Sequence, residues 1–159
     1  DPYPSQGYLE YVPLEELFAR SDVISLHCPL TSETYHIINN YSLKLMKDKV
    51  FILNTSRGAL IDSEALIEGI KSGKVGGAGL DVYEEESEFF YEDLSESILK
   101  DDILSRLIMM PNVLITSHQA FLTHEALKRI AEITLGNLKS FFDGQPLENE
   151  ILVKKKIII

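Results

Sequence analysis

Val50-Phe51-Ile52-Leu53-Asn54-Thr55-Ser56-Arg57-Gly58 reads as a short apolar strand that stops at a polar turn carrying an arginine. The apolar part is strand-sized, too short for a helix, and rich in the β-branched residues of a buried parallel sheet. Gly58 gives the backbone room to turn directly after the guanidinium. Three other stretches repeat the pattern: residues 22–27 (DVISLH), 77–82 (GAGLDV) and 112–116 (NVLIT). Asp81 falls at the end of the third and His118 just past the fourth. Ligands bind at the carboxyl ends of strands in an open parallel sheet. Arg57, Asp81 and His118 are therefore expected along one rim.

Helical stretches lie between the strands. Pro13 suits the first position of a helix over 14–19. Asn40 is placed to cap a short helix over 41–46, and Asp62 or Ser63 to cap 64–71, with Gly73 ending it. Thr123 caps a long last helix. Leu127, Ile130, Thr134, Leu138 and Phe141 form one stripe along it, read as core packing. Alternating strands and helices predict an α/β fold with a parallel sheet of about four main strands, covered on both faces.

Glycines cluster over 73–79 (GKVGGAG), but they lead into a strand, whereas a phosphate cradle follows one. They are read as sites of close packing. No G-x-G-x-x-G occurs in the 159 residues. The net charge of −10 argues against nucleic acid or an anionic membrane as partner. Much of that charge sits between Glu84 and Glu96, expected to be a solvated loop, and no stretch is apolar enough to span a membrane. The single cysteine, Cys28, excludes an internal disulfide and suits a reducing cytoplasm. It also excludes a cysteine-based metal site, and no metal is expected.

Three side chains carry the candidate chemistry. Arg57 can grip a carboxylate with two parallel hydrogen bonds. His118 can give and take one proton near neutrality. Glu86 is its natural partner, because a carboxylate on one ring nitrogen fixes the tautomer. His36 and His124 are read as structural or solvent-facing. His27, at a strand end, is placed to meet a ligand through its backbone.

The segments 22–31 (DVISLHCPLT), 54–62 (NTSRGALID), 79–86 (GLDVYEEE) and 115–120 (ITSHQA) resemble the NAD-dependent D-2-hydroxyacid dehydrogenases. Residues 1–5 (DPYPS), 89–93 (FFYED) and 118–122 (HQAFL) are most similar, within that family, to its fermentative D-lactate members. The resemblance implies roles. Arg57 binds the substrate carboxylate and carbonyl oxygen, His118 protonates that oxygen, and Glu86 holds His118. Asp81 binds the nicotinamide carboxamide, and Asp1 the adenosine ribose. Cys28, Pro29, Thr34, Thr55 and Ser56 line the cofactor, and Phe121 helps shape the pocket. The partners implied are NAD and a small 2-oxo or 2-hydroxy acid, in a homo-oligomer at full length. Family members are about twice this long, so the chain reads as their C-terminal half: a partial Rossmann-like sheet lacking the first strand and Gly-rich loop, with residues 1–122 the C-terminal part of the NAD-binding domain, 123–144 a long helix leading back toward the absent substrate domain, and 145–159 a C-terminal tail. The strand over 22–27 is then expected to be an open edge, and the isolated chain to turn over little. The alternatives are another D-2-hydroxyacid dehydrogenase, or an inactive fragment or interaction module.

Overall fold

The computed structural model of the chain describes residues 9–84 and 102–151. Asp1, Glu86 and the acidic-aromatic stretch 85–101 lie outside the described residues. The chain divides into two compact units, Asp1–Ala120 and Phe121–Ile159.

The first unit carries a four-stranded sheet: β1 (Val23–Leu26), β2 (Val50–Asn54), β3 (Val75–Leu80) and β4 (Val113–Ile115). The order is β1-β2-β3-β4, and every neighbouring pair is parallel. This is the Rossmann-like α/β arrangement expected, with β1 as an edge of the described sheet. β3 begins two residues earlier than its glycines suggest, because Val75 pairs with Val50.

The helices of this unit are α1 (Leu14–Arg20), α2 (Asn40–Leu45), α3 (Ser63–Lys71) and α4 (Asp102–Ile108). Caps set two of the starts. Asn39, and not Asn40, caps α2: its side chain accepts from the amides of Tyr41 and Ser42, and Ser42 Oγ accepts from the Asn39 amide in return. Asn39 has the extended backbone that a cap requires, whereas Asn40 is already helical. Asp62 caps α3 through the Ala65 amide.

Inward residues of alternating strand positions, such as Ile24, Ile52 and Leu80, share one core with Phe18, Leu43, Leu66 and Leu107 from the four helices. The expectation that the sheet is covered on both faces is corrected here. β1 and β2 alternate strictly between exposed and buried. Val23, Phe51, Leu53 and Leu114 point away from the core, with Leu114 68% exposed. Among the described residues of this unit, all four helices pack on the other face, which carries the buried core. On the outer face the glycines of β3 lie under larger neighbours: a Cβ on Gly77 would stand 2.9 Å from the Phe51 ring. This is the close packing read from the glycine cluster.

In the second unit, α5 (His124–Phe142) starts at Thr123, whose hydroxyl accepts from the Ala126 amide. The stripe expected to be core is not. No residue of α5 is buried, and Leu127, Ile130, Leu138 and Phe141 are all at least 47% exposed. A 3.6-residue period shows that a helix has an apolar face; it does not supply the surface that covers it. Among the described residues, no helix is long and apolar enough to cross a membrane.

Candidate active site

Leu26, Asn54, Leu80 and Ile115 form one row across the sheet, each paired with the next. The chain leaves all four strands at this row, so the exit turns stand side by side. The β1 exit carries His27, Cys28 and Pro29; the β2 exit carries Thr55, Ser56 and Arg57. Asp81 directly follows β3, and His118 lies three residues past β4. β2 and β4 flank β3, so Arg57 and His118 depart from strand ends about 10 Å apart.

Arg57 is held by its backbone and exposed at its tip. The inward positions of β2 are Val50, Ile52 and Asn54, and Asn54 is fully buried. Its side chain closes the turn on itself: Nδ2 donates to the Arg57 carbonyl at 2.9 Å, and Oδ1 accepts from the Ser56 amide at 3.0 Å. A buried amide with both ends satisfied fixes local geometry. Ser56 Oγ then donates to the Cys28 carbonyl at 2.7 Å, tying the β2 exit to the β1 exit. The Arg57 guanidinium is exposed and donates once, to the Ser56 carbonyl. Its other N–H groups bind nothing among the described residues.

His118 is set in a less relaxed way. Its φ is +51°, a left-handed conformation uncommon for a residue with a side chain. Asp81 supplies the contacts that hold it there. The His118 amide donates to the Asp81 carbonyl at 2.7 Å. The Asp81 carboxylate accepts from the Thr116 hydroxyl, from the Gln119 amide at 2.8 Å and from the Ala120 amide at 2.8 Å. Burial pushes the Asp81 carboxyl up, but those three donors and the nearby His118 outweigh it, holding it below the usual carboxylate range.

The remaining expected residues sort by what their polar atoms do. The Thr34 hydroxyl is spent inside its own loop, donating to the Pro29 carbonyl and accepting from the Thr31 amide. It therefore shapes the β1 exit that carries Cys28 and Pro29. Thr55 is exposed on the rim, and Cys28 is half-buried. His27 pairs with Ser25 at 2.8 Å. His36, read as structural or solvent-facing, is half-buried and paired with Glu84. Asn54 escaped the sequence reading, although a polar residue at the third inward position of an apolar strand was a usable signal.

These turns fit the nicotinamide end of a dinucleotide with an acid beside it. The exit turns place the exposed Thr55 and Arg57 beside the Cys28–Pro29 turn on one rim. The buried Asp81 carboxylate gives three of its roughly four acceptor directions to the His118 loop.

The family comparison is consistent with this rim. Residues 2–120 match the model of the D-isomer specific 2-hydroxyacid dehydrogenase NAD binding domain. The chain belongs to that family. It is similar to the D-lactate dehydrogenase of Escherichia coli strain K12, with 53% identity over 156 residues, covering 96% of this chain and 47% of that protein. An aromatic 2-oxoacid reductase of Clostridium sporogenes is 54% identical over 137 residues, covering 86% of this chain and 41% of that protein. A D-lactate dehydrogenase structure from Treponema pallidum superposes with a TM-score of 0.87 at 38% identity, covering 96% of this chain and 47% of that one. The chain thus spans about half the length of the relatives it matches, and its cofactor is NAD.

Proposed function

We propose that this family member interconverts pyruvate and D-lactate with NAD. The observation that carries the reading is the rim itself: an exposed arginine and a backbone-held histidine leave the strand ends on either side of β3 in one registered sheet. Arg57 holds the substrate carboxylate and orients the carbonyl. His118 donates a proton to the carbonyl oxygen as the carbonyl carbon becomes a secondary alcohol, and recovers it in the reverse direction. A bound reduced nicotinamide supplies the hydride. Glu86 is assigned to steady the His118 ring, on the family resemblance alone. Asp1 is assigned on the same ground to the adenosine ribose, where its charge disfavours a 2′-phosphate. Cys28, Pro29, Thr55 and Ser56 are assigned to the walls of the cofactor site. The lone cysteine favours a reducing, cytoplasmic setting.

A second reading has specific support. An aromatic 2-oxoacid reductase is 54% identical over 137 residues, a level of identity matching the 53% over 156 residues shared with a D-lactate dehydrogenase. A larger 2-oxo acid is therefore the alternative substrate. The test is NADH oxidation by the protein at its native length, with pyruvate and phenylpyruvate in parallel and chiral analysis of the product. D-lactate formed at the higher kcat/KM supports the proposal. Faster reduction of phenylpyruvate transfers it to the second reading. An L-product, or no turnover of either acid, sinks both. The 159-residue chain assayed alone is expected to turn over slowly, since it contains no G-x-G-x-x-G phosphate turn.

A further inference from the structure

His36 and Glu84 are 48 residues apart in sequence, and their side chains meet: the ring Nε2–H donates to Glu84 Oε1 at 2.6 Å. Both side chains are about three-quarters buried. The other Glu84 oxygen accepts from the Ser63 hydroxyl at 3.0 Å, at the first residue of α3. The His36 ring stacks on Tyr35 at 3.9 Å, and its backbone takes φ +50°. A left-handed, stacked histidine hydrogen-bonded to a half-buried carboxylate is over-determined by its surroundings. The rim chemistry described above does not use it.

What this pair encloses is the short turn that follows Arg57. On one side, the His36 amide donates to the Ala59 carbonyl at 2.9 Å, and the Ile38 amide to the Leu60 carbonyl at 3.1 Å. On the other side, the Tyr83–Glu84 peptide lies directly over Gly58: a Cβ there would stand 2.0 Å from the Tyr83 oxygen and 2.5 Å from the Glu84 nitrogen. The His36–Glu84 hydrogen bond joins the two sides. The Gly58–Leu60 turn is thus enclosed by a ring of contacts, and that turn is the C-terminal anchor of Arg57.

We propose that His36, acting through Glu84, is a positioning residue for Arg57, and so sets the grip on the substrate carboxylate without touching it. The inference rests on the reading that Arg57 binds the acid. Bidentate recognition tolerates little displacement, and a misplacement of about 1 Å costs up to about a hundredfold.

The test uses the protein at its native length and four variants: His36→Leu, His36→Gln, Arg57→Gln and the double variant His36→Leu/Arg57→Gln. A glutamine amide reaches the position of the imidazole Nε2 and donates there. His36→Leu is expected to raise KM for the 2-oxo acid about tenfold, with the Kd for NADH unchanged. His36→Gln is expected to restore most of that loss. In the Arg57→Gln background, His36→Leu should add no further loss, because the group it positions is gone. Should His36→Leu fail to fold, Glu84→Ala carries the same expectation. The proposal is overturned if KM is unmoved, if NADH affinity falls in the same proportion, if glutamine does not rescue, or if the losses in the double variant simply add. An Arg57→Gln protein with normal KM instead overturns the assignment of Arg57 itself, and this inference with it.

Discussion

The carboxylate of Asp81 accepts a hydrogen bond from the backbone amide of Ala120 at 2.8 Å. With the bonds from Thr116 and Gln119, it holds five consecutive residues of the β4 exit to the end of β3. His118 is in the middle of those five. Replacing Asp81 by alanine leaves three donors without their acceptor, two of them backbone amides. A loss of about 3 kcal/mol of stability is expected, read from urea unfolding. A change under about 0.5 kcal/mol would mean that the loop does not depend on this carboxylate.

The same bonds predict an acid-side stability profile. Asp81 has its carboxyl lowered in the folded protein. Its contribution is therefore complete above the unfolded value of about 4, and fades as pH falls through the lower folded value. Unfolding free energy measured between about pH 5 and pH 2 should decline less steeply in Asp81→Asn than in the parent. Equal slopes would show that the carboxylate is not favoured by folding.

Arg57 is exposed, so Arg57→Gln should leave the melting temperature unchanged while impairing catalysis. Losing a charge-assisted pair to a carboxylate predicts a fall in kcat/KM of roughly a hundredfold, about 3 kcal/mol. Steady-state kinetics with a 2-oxo acid, beside a melting curve, checks both halves. A large drop in melting temperature would assign Arg57 to the scaffold instead.

Asn54 has the opposite profile. It is fully buried and bonded at both ends of its amide. Asn54→Ala should cost about 2 kcal/mol, seen in chemical denaturation, because the Ser56 amide and the Arg57 carbonyl lose their partners. A neutral outcome would indicate that solvent reaches the turn.

Apolar positions on α5 and α3 should differ sharply. Ile67 in α3 is fully buried, and Ile67→Ala is expected to cost about 2–5 kcal/mol. Ile130 in α5 is 51% exposed, and Ile130→Ser should change stability of the 159-residue chain by less than about 0.5 kcal/mol. Denaturation of the two variants side by side distinguishes them.

The residues themselves announce the parallel sheet, because apolar β-branched runs at regular intervals with capped helices between them have few other ways to bury themselves. The sequence also places Arg57, Asp81 and His118 on one rim, since each follows a strand by one to three residues and parallel strands point their ends the same way. Short-range chemistry is legible in this manner: the Asp62 cap and the Thr123 cap both depend on neighbours a few positions away. Tertiary structure alone decided the rest. The bond from His36 to Glu84 spans 48 residues, and that from Ala120 to Asp81 spans 39. Whether the outer sheet face and the α5 stripe are covered depends on what surrounds them in space. Periodicity reports which face is apolar, and only packing reports whether that face is buried.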